Sequence, residues 1–261
     1  MTKIVIQGKG TVGLSTEMFL KHYIKDVDVV FNDPFKEIAV SQDDWLTADY
    51  VAICVNTDLD ESLPLPENNI KNVVEAIGHA IGCGFGGQFL VRSTIGVEDA
   101  VKLVKEHGTK IIMWPEYIRE ASWQLDSIAP RMVLLGGDAE NFALLFDESY
   151  QGPVIITEPV EAMLAKLSTN AFLSTKVIFA NQVRQLCETY GLDYGLVSQL
   201  LANEGRLGES HWQSPGPDGR AGFGGKCFPK DMKTFETALI KAGLPSNMAQ
   251  AVLDLNKQMR P

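Results

Sequence analysis

Along the N-terminal part of the chain, short runs of β-branched and aliphatic residues alternate with stretches whose apolar positions recur at helical spacing. Residues 3–7, 28–32, 50–55, 89–92, 110–113 and 132–135 read as strands, and 12–22, 69–81 and 97–107 read as helices. The runs at 4–6 and 50–55 are continuously apolar, as parallel strands covered on both faces tend to be. A further helix over 139–150 and an apolar strand over 154–156 complete this part. Such alternation predicts an α/β fold built on a doubly wound parallel sheet. The pattern then changes. No Gly or Pro interrupts the helix formers between Val160 and Tyr190, which predicts one long helix ended by Gly191. A shorter helix fits 194–203, and helices over 229–242 and 246–259 flank a break at 243–245. Residues 205–225 hold seven glycines plus Pro215 and Pro217, and read as a loop. The expected organisation is a sheet domain over 1–157 followed by an all-helical domain over 158–261.

Composition narrows the function classes. With 261 residues, 45% hydrophobic and 21% charged, the chain can bury a substantial core. Its formal net charge of -10 argues against a nucleic-acid-binding surface, so an anionic ligand must be held by a local basic cluster. No apolar run approaches the roughly 18 residues of a membrane span, and the N-terminus carries no signal-peptide core. Cys54, Cys83, Cys187 and Cys227 are widely spread with no CxxC pair, and His22, His79, His107 and His211 are equally scattered. Neither a disulfide framework nor a zinc site follows from that spacing. The expectation is a cytoplasmic protein with no metal and no membrane or nucleic-acid partner.

Gly8-Lys9-Gly10-Thr11-Val12-Gly13 is a G-x-G-x-x-G that follows the first strand and opens a helix. The first glycine allows the tight turn and the second lets backbone amides approach a pyrophosphate. The third lets helix and strand pack closely, with the helix N-terminus facing the anion. Asp33 lies 20 residues beyond Gly13, at the end of the second strand. A carboxylate there accepts hydrogen bonds from an adenosine ribose and repels a 2′-phosphate, which predicts NAD rather than NADP on a Rossmann-like domain. Lys36 is the nearby cation that opposes this preference.

Two further groups carry chemistry. Lys166 and Asn170, four residues apart on the long helix, can converge on one oxygen, although such a pair is most often solvated surface. After a dinucleotide-binding domain the pair also resembles β-hydroxyacid dehydrogenases. The segment Gly222-Phe-Gly-Gly-Lys-Cys227-Phe-Pro-Lys-Asp231 puts a cysteine where a glycine-rich loop meets a helix, with Pro229 as the expected first helical residue. The helix dipole together with Lys226 and Lys230 favours a thiolate at Cys227. Asp231 stands four residues on, where it can take a proton or orient a water.

Read together, GKGTVG, PEYIREAS, KLSTNAFLSTK and GFGGKCFPKD resemble, in order, the motifs of the UDP-glucose/GDP-mannose dehydrogenase family. The resemblance implies oxidation of the C6 alcohol of a nucleotide sugar to a carboxylate, with UDP-glucose first among the substrates and polysaccharide biosynthesis as the setting. The nucleophile is then Cys227, and Lys166 and Asn170 stabilise the oxyanion. Thr94 and Asp231 hold a water, and Glu116 assists hydrolysis. By the same resemblance Gly8, Gly10, Thr11, Val12, Gly13, Asp33, Val55, Asn56, Thr57, Ser93, Thr94, Glu120 and Lys230 line the cofactor. The substrate falls to Glu116, Tyr117, Arg119, Glu120, Lys166, Asn170, Arg206, Arg220, Gly224 and Cys227. Two positions depart from the family pattern, the Asp-Leu-Asp after Thr57 and Lys226 before the cysteine.

The resemblance also leaves the family's C-terminal, nucleotide-clamping domain outside the 261 residues. A short form lacking it is one expectation, and an NAD-binding relic with little turnover is the alternative. Met248, Val252, Leu255 and Met259 form an apolar stripe on the last helix. Such a stripe is expected to be buried against its own domain or against a second copy, and a homodimer through the helical domain is expected, with Arg206 and Arg220 on the substrate diphosphate.

Overall fold

The computed structural model describes residues 1–146 and 149–260. The chain divides into two compact units, one of Met1–Asp58 with Asn68–Lys166, the other of Leu59–Glu67 with the chain from Leu167 on. The division therefore falls inside the long helix at 166/167 instead of at 157/158, and a short segment after the third strand groups with the helical unit.

In the first unit β1 (Thr2–Gln7), β2 (Val27–Asn32), β3 (Tyr50–Ile53), β6 (Gln88–Val91), β7 (Ile111–Met113), β8 (Val133–Gly136) and β9 (Val154–Thr157) form one sheet in the order β2-β1-β3-β6-β7-β8-β9. Pairing is parallel from β2 through β7 and again between β8 and β9. It is antiparallel between β7 and β8, so the sheet is mixed and not wholly parallel. A hydrophobic run fixes that a strand exists but not which way it runs.

Successive β1 side chains face opposite layers. Ile4 and Ile6 pack with Phe19 and Leu20 of α1 (Thr11–Tyr23), while Val5 packs with Val73 and Ile77 of α3 (Lys71–Gly82) and Leu103 of α4 (Val97–His107). Helix α4 carries Glu98 and Asp99 in its first turn and Lys105 and His107 in its last, complementing the peptide dipole. Helix α2 (Gln42–Thr47) begins with a capping box made by Ser41 and Asp44. In place of a helix over 139–150, α6 covers Glu140–Ala143 only; Asp147 and Glu148 of that expectation lie outside the described residues. A six-residue helix, α5 (Trp123–Ile128), follows the PEYIREAS segment.

The long helix α7 (Pro159–Tyr190) runs to Gly191, whose φ of 66° marks the left-handed stop. The helical unit then holds α8 (Tyr194–Asn203), α9 (Phe228–Lys241) and α10 (Asn247–Met259). The two-residue strands β4 (Leu59–Asp60) and β5 (Glu67–Asn68) pair into a small ribbon. Its end is fastened to α9 by Thr237 Oγ1 donating to the Pro66 carbonyl at 2.6 Å and by a 2.6 Å Lys241–Glu67 ion pair. The core of this unit gathers Ala171, Ile178, Phe223, Met232, Ala249 and Val252, with Leu255 and Met259 packed against it. The stripe on α10 is thus largely buried within its own unit, and Met248 alone of its four residues is exposed. Apolar side chains that face outward include Phe172, Phe179 and Leu186 of α7, spaced by seven residues, and Leu196 and Leu200 of α8. Among the described residues no helix is long and apolar enough to cross a membrane.

Candidate active site

In the sheet unit the glycine motif bridges β1 and α1. Gly8 has φ of 95°, and a Cβ there would lie 2.5 Å from the Cys54 carbonyl oxygen. A Cβ on Gly13 would overlap the Gly8 carbonyl oxygen. Both positions are closed by the protein's own backbone. Gly10, the N-cap of α1, has φ of -86°, and a Cβ built on it meets nothing within 4 Å. The fold places no demand for glycine at position 10, whereas a pyrophosphate lying on the helix N-terminus does. Asp33 is buried, and its Oδ2 accepts the Lys9 backbone N–H at 2.8 Å, which ties the end of β2 to the motif. These residues fit a dinucleotide. Thr11 is exposed and Val12 half-buried on the first turn of α1. Lys36 donates to the Lys9 carbonyl at 2.6 Å, so its ammonium is held beside the loop.

The other strand ends are joined by hydroxyl bonds. Ser93 Oγ donates to the Val55 carbonyl at 2.7 Å, and Thr57 Oγ1 donates to the Thr94 carbonyl at 2.8 Å. Asn68 Nδ2 reaches the same carbonyl at 3.1 Å. Asn56 bonds Asp58 through its side chain, and its carbonyl accepts from Asn72 at 2.9 Å. Cys54 is buried against this floor, and burial pushes its thiol up to about 11. Arg92 stacks 4.0 Å over Trp114 and donates to the Trp114 carbonyl at 3.3 Å; burial lowers its pKa.

Glu116 and Lys166 meet in the same unit, Nζ to Oε1 at 3.4 Å, with side chains 8% and 5% exposed. The second Glu116 oxygen accepts the Ile118 N–H at 2.8 Å, and the Lys166 ammonium lies 5.0 Å over the Tyr117 ring. A buried carboxylate and ammonium facing each other can hand a proton in either direction. Arg119 is engaged elsewhere. It makes a forked pair with Asp126 at 3.0 and 2.6 Å, which lowers the Asp126 carboxyl pKa. Glu120 is exposed and starts a short 3-10 turn, Glu120–Ser122.

In the helical unit, Asn170 Nδ2 donates to Asp231 Oδ2 at 2.6 Å and Lys230 Nζ to Asp231 Oδ1 at 2.7 Å. Asp231 has no exposed surface and Asn170 is 5% exposed. Lys166 and Asn170 are therefore not solvated surface; both are buried, one in each unit, one turn apart on α7. Cys227 is exposed and is itself the N-cap of α9, because the helix begins at Phe228 and Pro229 takes its second position, not its first. Arg206 is exposed and pairs with Glu204, and Arg220 is exposed. The space beside Gly224 is filled by the Arg260 guanidinium, with which a Cβ would collide. Sequence reasoning passed over Arg92, Asn181, Asn256 and Arg260. Asn181 follows the apolar run Val177–Ala180 in α7, a signal that could have singled it out; Asn256 stands among Asp254, Lys257 and Gln258, and Arg260 lies just past α10.

Residues 160–258 match the UDP-glucose/GDP-mannose dehydrogenase family, central domain. The UDP-glucose 6-dehydrogenase TuaD of Bacillus subtilis (strain 168) is 26% identical over 225 residues, covering 82% of this chain and 47% of that protein. A UDP-glucose 6-dehydrogenase of Streptococcus pneumoniae is 26% identical over 296 aligned positions, covering 98% of this chain and 73% of its own length. Among solved structures, a UDP-glucose dehydrogenase from the archaeon Pyrobaculum islandicum superposes with a TM-score of 0.82 at 24% identity, over 99% of this chain and 68% of that one. The chain spans about half the length of the Bacillus relative.

Proposed function

We propose that this chain, whose residues 160–258 belong to the central domain of the UDP-glucose/GDP-mannose dehydrogenase family, oxidises the C6 alcohol of a nucleotide sugar, UDP-glucose foremost, to the carboxylate. The observation that carries this reading is an exposed thiol at the N-terminus of α9, in one unit with the buried Asn170–Asp231–Lys230 network. A simple alcohol oxidation needs no nucleophile; a four-electron oxidation needs one to hold the aldehyde.

NAD, when bound on the glycine motif, supplies the acceptor for each of two hydrides. Asp33 holds the adenosine ribose, and the amides at the start of α1 hold the pyrophosphate. The C6 hydroxyl proton passes to a water held by Asp231 as the first hydride leaves, while Lys166 keeps its charge in contact with Glu116. The Cys227 thiolate then adds to the aldehyde carbon, forming a C–S bond and a thiohemiacetal that cannot diffuse away. Lys166 and Asn170 stabilise the oxyanion by charge and by a directed amide donor. Loss of the second hydride and of the hydroxyl proton leaves a thioester. Water held by Thr94 and deprotonated by Glu116 attacks it; the C–S bond breaks and the thiolate and carboxylate separate.

Arg206 and Arg220 are assigned to the diphosphate. A second copy of the chain is placed against Phe172, Phe179 and Leu186 of α7, whose seven-residue spacing suits a helix pair. The cytoplasm, where NAD and sugar nucleotides are found together, is the proposed location. The test is to incubate the protein with NAD and, separately, UDP-glucose, GDP-mannose and UDP-N-acetylmannosamine while following NADH. Turnover with at least one sugar nucleotide supports the assignment; NAD binding with no turnover on any of them supports the relic.

A further inference from the structure

The glycine-rich loop is gripped from one side by helix side chains that carry no assigned role. Asn256 of α10 accepts the Phe223 N–H at 2.7 Å and donates back to the Phe223 carbonyl at 3.1 Å, so one side-chain amide closes both polar groups of one loop residue. Arg260, at the end of α10, makes a forked ion pair with Asp218 at 2.6 and 3.1 Å and donates to the Ala221 carbonyl at 3.1 Å. Asn181 of α7 accepts from the Ser214 hydroxyl at 2.8 Å and from the Gly222 N–H at 3.2 Å. A Cβ on Gly222 would strike the Asn256 side-chain oxygen, and one on Gly224 would strike Arg260 Nη1. The two side chains lie where a Cβ on these glycines would sit. After Gly224 only Gly225 and Lys226 remain before Cys227, which α9 holds from the other side.

We propose that Asn256 and Arg260 are positioning residues for the nucleophile: they fix the loop ahead of Cys227 so that its sulfur is presented at the helix N-terminus in one place. The inference rests on Cys227 being the nucleophile. Displacements of about 1 Å at a reacting atom can cost about a hundredfold in rate, and between the buried Phe223 and Cys227 the loop has only Gly224, Gly225 and Lys226. Gly222 and Gly225 adopt left-handed φ of 70° and 76°, which glycine reaches without strain, so rigidity has to come from outside the loop. A forked guanidinium–carboxylate pair and a two-point amide are the directional contacts that can supply it.

The arrangement makes a linked prediction. Gly224 carries no left-handed φ, so alanine there is tolerated by the backbone and acts by driving the guanidinium off Asp218. Gly224→Ala, Asp218→Ala and Arg260→Ala should therefore share one phenotype, and the Gly224→Ala/Arg260→Ala double variant should be no worse than either single one. Two readouts are needed. The rate and pH profile of iodoacetamide modification at Cys227, located by peptide mass spectrometry, does not depend on turnover. The split of kcat against KM with NAD and UDP-glucose does.

The expected result is a change of at least fivefold in the Cys227 modification rate and a kcat lowered at least tenfold. The KM for NAD should stay within twofold and the melting temperature close to that of the unaltered protein. Asn256→Ala should reproduce the result by a separate contact, which keeps the test open if an Arg260 variant does not fold. Additive losses in the Gly224→Ala/Arg260→Ala protein, or unchanged Cys227 modification in both the Arg260→Ala and Asn256→Ala proteins, would overturn the proposal. If modification changes as expected but Cys227→Ala retains turnover, the positioning stands and the assigned chemistry fails.

Discussion

Replacing Gly10 by alanine separates what the glycine motif does for the fold from what it does for a ligand. At φ -86° and with nothing within 4 Å of the new methyl, alanine meets neither strain nor a clash. Alanine is a poorer N-cap than glycine by about 0.5–1 kcal/mol, and it stiffens the unfolded chain by about 0.4–1 kcal/mol. The two effects oppose each other, so the melting temperature should move by no more than about 2 °C. The methyl does occupy the space a pyrophosphate needs, and NAD affinity should fall at least about tenfold, or about 1.4 kcal/mol. Gly8→Ala is the contrast. Its φ of 95° and the 2.5 Å approach to the Cys54 carbonyl combine backbone strain with overpacking, together about 3 kcal/mol. That corresponds to a fall of about 6–12 °C in melting temperature. Calorimetric titration of NAD and thermal melts on the three proteins measure both quantities. A Gly10→Ala protein that binds NAD as tightly as the unaltered one would refute the reasoning.

Glu116→Gln and Lys166→Met should each lower stability by about 3 kcal/mol, because each strands a buried charge, while the double variant should recover most of the loss; additive losses by denaturant titration would contradict this. Under native conditions iodoacetamide should modify Cys227 first and Cys83 next, leaving the buried Cys54 and Cys187 protected, as read by peptide mass spectrometry. The Cys54 thiol is raised in the fold to about 11. Its preference for the folded state is complete below about pH 9 and is lost as the pH rises through about 11, so Cys54→Ala should flatten the alkaline fall in melting temperature over that window. The Asp218 carboxyl, held at about 2 by Arg260, gives the opposite sign. Its contribution is present above about pH 4 and is lost as the pH falls toward 2, so the Asp218→Asn protein should converge on the unaltered one in acid melts.

The sheet, the long helix and the cysteine loop were legible because each leaves a strong local mark: apolar runs, an uninterrupted stretch of helix formers, clustered glycines. The antiparallel placing of β8 left none, since Val133–Gly136 is as apolar as its parallel neighbours. The ribbon of β4 and β5 was hidden by its length, two residues a strand, and its attachment to α9 depends on partners about 170 residues away. Spacing put Lys166 and Asn170 on one helix, but only the packing around them shows that both are buried. The spacing of the stripe on α10 could not choose between its own domain and a second copy; Val252, Leu255 and Met259 pack with Phe223 and Met232 in the core of their own unit. Gly224 read as a substrate contact through the resemblance alone; no local pattern signals that the Arg260 guanidinium lies where its Cβ would be.

The central claim is that one chain carries out two oxidations of one carbon through Cys227. Counting NADH formed against sugar nucleotide consumed, with the product identified by mass spectrometry, tests it most directly. The account predicts two NADH for each molecule of uronate formed, and no uronate from the Cys227→Ala protein even though it still binds NAD. One NADH for each molecule of a carbonyl product, or full uronate formation by Cys227→Ala, would contradict it.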